Sequence, residues 1–510
     1  MTMKLNSNLF RTNKRTGNQG FVQNLFLSIT VIFNRVLNSI KMMTRWEKRA
    51  TVLLLLLALT LGTIRAYGSY IDRTTLAPTV GGTYREADVG ELKYLNPVLA
   101  QSDIDKSYSG LIFSSLVRVD TQGVHPDVAE RWDISSDGLR YTFYLNKNVY
   151  FHDGEKLTAK DVAHTLDAVK ATAESAVRSP LYDAWEDVTV TVDDDYQITF
   201  VLPRAYGPFI YNADFGIVPA HLTMDQVSSR FVGSGPFRFE RTIMSSKKKI
   251  AKLLLSRNKS YYADKPYIDN IEATFFDKEE DAKKALADGD VEAVFGFQAS
   301  GQNIRDYSYE SSRRLGLVFN LRNDKFKDKE TRRKILQGET MPEPFSLRVV
   351  ALNSPLQQIK AEELKTRLSK QNIKIEVIYL NSVQLKDVID SREFEILLYG
   401  FTTGYDRDPY VFWHTSQVDK LNFAGYSDKE SDIMLEDARM MGDAVGRNAK
   451  YDQFYSRLSG EFVAEFYEPV RYNFSVSESI RGIKPIVGSD AGSRFDHFFQ
   501  WYMKEGRVKK

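Results

Sequence analysis

LRVVALNSPLQQIKAEELKTRLSKQNIKIEVIYLNSVQLKDVIDSREFEILLYGF, residues 347–401, alternates short apolar runs with longer segments patterned as helices. LRVVAL reads as a buried strand. Ser354 follows as a helix N-cap, and Pro355 takes the first helical position, where its missing N–H is not needed. IKIEVIYL is the next strand, NSVQLKDVID a second helix and EFEILLYGF a third strand. Strands separated by helices imply right-handed crossovers and a parallel sheet, and therefore an α/β fold. Ligands of such sheets bind beyond the carboxyl ends of the strands.

YGFTTGYDRDPYVFWHTSQ, residues 399–417, starts at one of those ends, and six of its 19 residues are aromatic and two are aspartates. Such crowding suits a metal, a catalytic dyad or a ligand pocket. The chain has no cysteine, which removes disulfides, thiolate metal sites and cysteine nucleophiles. The six histidines, His125, His152, His164, His221, His414 and His497, show no metal-ligand spacing on a helix and no HExxH. FHDGE at 151–155 sets His152 beside two acids, read as a hydrogen-bonded turn. There is no GxSxG elbow, P-loop or GxGxxG. GSGPF at 233–237 lacks the lysine of a phosphate loop and reads as a tight turn entering the strand FRFER; KKK at 247–249 reads as a hairpin tip. No catalytic residue, metal or cofactor is expected, and nothing supports an enzyme.

The 510 residues suffice for two or three domains, and 43% hydrophobic with 27% charged residues is ordinary for a globular protein. The charge is uneven. Residues 1–49 carry nine Lys or Arg and one acid, so that +8 of charge stands against a chain total of +2 and leaves −6 for the rest. A basic tail before an acidic body points to an anionic membrane surface or a topology signal, not to nucleic acid.

ATVLLLLLALTLGTI, residues 50–64, carries no charge; extended to Ile71 it makes a 22-residue span, long enough to cross a bilayer. Trp46 on one side and Tyr67 and Tyr70 on the other suit the headgroup belts, with Arg65 near enough to the end to reach the interface. Lys41, Arg45, Lys48 and Arg49 outweigh Arg65 and Arg73, which places the N-terminus in the cytoplasm and residues 72–510 outside. The competing reading is a cleaved signal peptide with Ala66-Tyr67-Gly68 at the cleavage site. A 49-residue stretch ahead of the apolar run is long for that role and favours an anchor. Residues 21–37, FVQNLFLSITVIFNRVL, suit either the inner membrane surface or a partly ordered tail.

Between these regions TYREA, YTFYL and YQITFVL read as strands, and LTAKDVAHTLDAVKATA as a helix capped by Thr158 with Asp161 three residues on. DAKKALADGD then VEAVFGF reads as helix, turn, strand, and YDQFYSRLSGEFVAEF, residues 451–466, as an amphipathic helix.

Several stretches together resemble the extracellular solute-binding proteins of family 5, the dipeptide, oligopeptide and nickel receptors of ABC importers. They are GGTYREADVGELKYLNPVLA, LIFSSLVRVDTQGVHPDVAERWDISSDGLRYTFYLNKNVYFHDGEKLTAKDVAHTLDAV, VGSGPFRFER, NKSYYADKPYIDNI, LGLVFNLRNDKFKDKETRR, DPYVFWHTSQ and LNFAGYSDKESDIMLEDAR, spanning about residues 80–485 in the family's order. The resemblance implies a type II periplasmic-binding-protein fold, with two α/β lobes, a cleft and a small accessory domain behind the N-terminal helix. Behind the basic tail over 1–49 and the anchor over 50–71, which depart from the family's usual lipid anchor or free form, it implies a first lobe over 72–315 with the accessory part at about 116–181. A second lobe then spans 316–475, and 476–510 return to the first.

The resemblance also implies a peptide held in the cleft and delivered to an ABC permease and its ATPase, with membrane lipid around the anchor. In peptide-binding relatives an aspartate before an Asp-Pro pair takes the ligand's α-amino group and an upstream aromatic packs on its backbone. Asp408-Pro409 matches the pair and Phe401 the aromatic. Tyr405 stands at the aspartate's position, and Asp406 is the nearest acid. Trp413 belongs to the core or the cleft wall. After ETRRKIL the family adds roughly 50 residues that this chain lacks, passing through QGETMPEP to SLRVV, so part of the second lobe is absent. Three readings remain beside peptide capture: a receptor for a nickel chelate, sugar or other small solute, a tethered sensor or scaffold, and a hydrolase whose nucleophile is not found.

Overall fold

The computed structural model describes residue 39 and residues 42–510 except 121, 487 and 489. The apolar stretch 21–37, Lys41 and most of the basic tail lie outside the described residues. The chain divides into two units, residues 1–77 with 506–510, and residues 78–505.

In the first unit a continuous helix runs over Arg45–Arg73. Thr44 and Glu47 form a capping box, Thr44 N–H donating to the Glu47 carboxylate at 2.7 Å. No residue of the helix is buried, and it is long and apolar enough to cross a membrane. The C-terminal residues pair beside its end: Lys510 N–H donates to Arg73 O at 2.9 Å and the Arg507 guanidinium to Thr74 Oγ1 at 3.2 Å.

The second unit is organised by one ten-stranded sheet. Its strands are β1 (Thr83–Val89), β2 (Phe237–Met244), β3 (Ile250–Arg257), β4 (Asn270–Phe276), β5 (Ala293–Phe295), β6 (Ile304–Phe319), β7 (Phe345–Leu352), β8 (Ile373–Leu380), β9 (Ile396–Thr402) and β10 (Ala464–Ser477), in the spatial order 8-7-9-6-10-5-1-4-3-2. β7 is parallel to both β8 and β9, as the strand–helix alternation requires. The helix between β7 and β8 runs over Pro355–Ser369 with Ser354 as N-cap, and Ala361, Leu364 and Leu368 turn inward at helical spacing. β9 is antiparallel to β6, so the sheet is mixed.

β6 and β10 are the long strands, 16 and 14 residues, paired antiparallel down the middle of the sheet. Their register is irregular between Glu310 and Gly316. On one side of that break Tyr309, Tyr472, Phe474 and Val476 join a core built from residues 84–295 and 480–501. On the other side Leu315, Val318, Phe319 and Ala464 join two clusters built from residues 315–464. One sheet therefore carries two separate groups of hydrophobic clusters, one for each lobe of the type II binding-protein fold.

A four-stranded antiparallel sheet, in the order Ala129–Ile134, Arg140–Leu145, Gln197–Val201, Thr189–Asp194, packs beside the first lobe. Its strands extend past residue 181, where the sequence placed the end of the accessory part. The helix Ala159–Lys170 covers it, its start fixed by Thr158 N–H donating to Asp161 at 2.7 Å. Trp185 is fully buried there, against Phe200, Phe209 and Phe215 with ring centroids 4.9–5.2 Å away. One expectation needs correcting. The helix read over 451–466 spans Ala444–Gly460, and VAEF is already the approach to and start of β10. Phe462 adopts a left-handed conformation after the helix ends, and the β-branched and aromatic residues that follow pair with β6.

The first lobe also holds a fully buried charge cluster. The Arg494 guanidinium donates to Glu86 at 2.7 Å and lies 3.5 Å from Asp88, while Tyr84 and Tyr108 donate to the same carboxylates. Burial, then the neighbouring Glu86, pushes Asp88 up to about 7 against the opposing pull of Arg494.

Candidate functional site

The segment after β9 leaves the sheet at its carboxyl end and turns twice before a short helix, Tyr410–Trp413. Gly404 and Arg407 take left-handed conformations in these turns. Phe401 and Trp413 stack at 5.9 Å inside the second lobe's core, with Phe412 and Phe466 against them, and both are almost fully buried. Gly316 of β6 is crossed by the Phe401 ring, which a Cβ there would meet at 2.8 Å.

The two aspartates are engaged by arginines of the helices Lys429–Met440 and Ala444–Gly460. Asp406 accepts from Arg447 at 2.5 and 2.7 Å and from the Tyr451 hydroxyl at 3.0 Å. Arg447 is 2% exposed, so the pair is desolvated. Burial raises Asp406 above the ordinary carboxylate range, with Arg447 pulling the other way. Asp408 accepts from Arg439 at 2.7 and 2.8 Å and from Tyr410 N–H at 3.0 Å. An ammonium ligand would reach either carboxylate only by displacing its arginine. His414 is a hydrogen-bonded core residue, stacked on Tyr410 at 4.1 Å and bonded to Ser416 at 2.8 Å.

Asp408 also faces the first lobe. It accepts from Tyr206 of that lobe at 3.3 Å, and the Arg439 guanidinium sits over the Tyr206 ring at 5.0 Å. Gly207 approaches so closely that a Cβ would lie 1.9 Å from the Met441 carbonyl oxygen. This contact joins the lobes without passing through the sheet.

Tyr405 is the sequence-derived candidate that reaches a cavity. Its hydroxyl bonds Asp490 and Ser493 of the first lobe, each at 3.1 Å. The cavity it overhangs holds about 460 Å³, within the range of small-molecule sites. Aromatic rings of Phe215, Tyr261, Phe495, Phe498 and Phe499 line it together with Asp127, Asp214, Asp490, Asp496, Arg118 and Lys106. Phe401, Asp406, Asp408 and Trp413 do not line it.

The cavity carboxylates remain in contact with solvent but are surrounded by protein, which disfavours their charge. Burial, opposed by a hydrogen bond from Ser115 and reinforced by Asp490 and Asp127, pushes Asp214 up to about 7. Burial, then Asp490 and Asp214, pushes Asp496 well above the carboxylate range. Asp127 is raised by burial against the Tyr262 hydroxyl and Arg118. Burial acts to lower Arg118, but Asp127, Tyr261, Tyr262 and Asp496 together outweigh it and the guanidinium is held charged.

Sequence reading did not single out these four aspartates. They come from four separate stretches, HPDVA, NADFG, GSDAG and RFDHFF. The available signal is local: Asp214 precedes Phe215 and Asp496 sits between Phe495 and Phe498, acids set among rings. His152 also has a definite role. Its Nε2 bonds Gly235 O at 3.0 Å, tying FHDGE to GSGPF, and burial lowers it to about 4, so it is a neutral structural group at neutral pH.

Residues 123–338 match the sequence model of the middle region of bacterial extracellular solute-binding proteins, family 5. The chain is 22% identical over 495 residues to the oligopeptide-binding protein AppA of Bacillus subtilis, covering 80% of this chain and 90% of that protein. Its fold is similar to a putative peptide-binding protein AppA from Clostridium difficile, with a TM-score of 0.71 at 19% identity, covering 82% of this chain and 99% of that chain.

 The fold is also similar to DppA from Helicobacter pylori in complex with the peptide STSA, with a TM-score of 0.65 at 19% identity, covering 83% of this chain and 98% of that chain. The two-lobed sheet, the central family match and a relative aligned over most of both chains make this chain similar to family 5 of the bacterial extracellular solute-binding proteins.

Proposed function

We propose that the protein is a membrane-tethered extracytoplasmic receptor that captures a peptide-like solute between its lobes and delivers it to an ABC permease. The observation that carries this reading is the cavity of about 460 Å³ in the first lobe, overhung by Tyr405 from the second. A solute seated there contacts both lobes and favours the joined arrangement over the parted one, a population shift with no covalent step. The lobes divide near the register break of β6 and β10, and the helix Arg45–Arg73 acts as the anchor. Tethering holds the receptor at high effective concentration beside its permease. The oligopeptide-binding relative and the peptide-bound H. pylori structure support a peptide as the solute.

Native mass spectrometry of the full chain in detergent, purified from a peptide-rich medium, tests the reading. Release of a set of short peptides on denaturation is the expected result. A single small organic mass would replace the peptide by another solute. An empty protein that gains no stability from added peptides would overturn capture.

A further inference from the structure

The cavity gathers more carboxyl groups than cations: Asp127, Asp214, Asp264, Asp490 and Asp496 line it against Arg118 and Lys106. Asp406 and Asp408 of the second lobe each hold an arginine within 2.7 Å. The five cavity aspartates, Asp264 included, have no salt bridge among the described residues. Asp127 takes a hydrogen bond from Ser115 N–H at 3.1 Å, and Asp490 bonds Tyr405 and caps Ser493 N–H at 3.0 Å. Asp214 lies near Asp490 and Asp127, and Asp496 near Asp490, Asp214 and Arg118, with Lys106 the other cation of the lining. Carboxyl groups gathered in this way hold protons for want of a counter-charge, and a cation that enters favours their ionised form.

A second observation is independent of charge. Ser109 and Ser114 line the same cavity, are 3% and 4% exposed, and their hydroxyl oxygens have no hydrogen-bond partner. Buried hydroxyls without partners are uncommon and mark a place where a donor is missing. An ammonium or guanidinium supplies donors only, matching both the carboxylates and these oxygens. The surrounding rings offer negative faces to the same cation. Among the described residues no group of three or more His, Cys, Asp or Glu is arranged to hold a metal ion, so an organic cation fits better than a divalent one.

Resting on the capture reading above, we infer that this cavity selects solutes bearing an amine or guanidinium charge beyond a peptide's single α-amino group. A basic peptide side chain and a free diamine share that chemistry.

Calorimetric titration of the full chain in detergent near neutral pH separates the cases, using Lys-Lys, Ala-Ala, Glu-Glu and putrescine as probes. Lys-Lys is expected to bind at least about tenfold more tightly than Ala-Ala, the effect of one well-placed counter-charge. Putrescine binding as tightly as Lys-Lys would assign the site to free amines; weaker binding assigns it to basic peptides, and both support the inference. The double variant Asp214→Asn, Asp496→Asn should bring the Lys-Lys to Ala-Ala ratio to about one. If that variant does not fold, the wild-type ratio at low and high salt takes its place, and a ratio that does not fall with salt overturns the inference. Equal binding of the three dipeptides, or tightest binding of Glu-Glu, overturns charge selection while leaving capture intact. No binding of any probe, together with an empty protein by mass spectrometry, overturns capture itself.

Discussion

Gly207→Ala tests whether the contact between Tyr206-Gly207 and the second lobe governs lobe closure. The new Cβ would lie 1.9 Å from the Met441 carbonyl oxygen. A carbon–oxygen contact needs about 3.3 Å, so the two segments must part by about 1.4 Å. If Tyr206 moves with Gly207, its 3.3 Å bond to Asp408 is broken. The cation–π contact with Arg439 weakens as well. Together these losses come to about 1–3 kcal/mol. The joined arrangement then becomes about 5- to 150-fold less favourable, and the apparent dissociation constant of a solute that needs it rises by the same factor. Gly207 lies outside the left-handed region, so alanine introduces no backbone strain and the melting temperature of the ligand-free parted form should hold. Calorimetry with the solute released from the wild type measures the affinity, and small-angle scattering measures closure. Affinity within about twofold of wild type, with unchanged scattering, would refute the reasoning.

Three further outcomes follow from the same geometry. Asp406→Asn removes the carboxylate opposite an Arg447 that is 2% exposed and should cost about 3 kcal/mol of stability in urea unfolding; an unchanged midpoint with weakened binding would instead make Asp406 a ligand group. Trp413→Ala empties the stack under Phe401 and should cost about 3–5 kcal/mol, again read by urea unfolding, with a cost below about 1 kcal/mol contradicting its place in the core. Asp214 and Asp88 are both raised to about 7, so the folded protein holds protons that the unfolded chain releases above about pH 4. Their stabilising effect is complete below about pH 4 and is lost as the pH rises through about 7, so ligand-free stability should fall from about pH 5 to about pH 8. Asp214→Asn should flatten part of that decline, and a urea midpoint that rises over this range would contradict the assignment.

The fold was legible where local signals and burial agree. Ser354, Pro355 and Thr158 start helices because short polar side chains or a missing N–H suit those positions, whatever the tertiary context. The parallel core of the second lobe follows from runs such as LRVVAL and IKIEVIYL. The end of the helix before β10 was less legible, because EFVAEF is apolar enough to continue either a helix or a strand and pairing with β6 decides it. The stretch 399–417 announces aromatic and acidic crowding, but its sequence does not say that Arg439 and Arg447 neutralise the acids. Those partners come from helices over 30 residues later. The cavity was the least legible part, since Asp127, Asp214, Asp490 and Asp496 meet only through the tertiary fold.

Arg494 sets a condition on how this chain can be made. It is separated from its partner Glu86 by 408 residues, and β10 must return before β5 is flanked on both sides. Until the last residues emerge, Glu86 and Asp88 have no guanidinium between them, and burying them together is strongly unfavourable. The first lobe therefore cannot complete its core before residue 494 has been made, even though it contributes most of the early sequence. Contacts of such long sequence separation form slowly. The earliest strands thus wait on a single side chain made more than 400 residues after them, and Arg494→Met would remove the charge that lets them close.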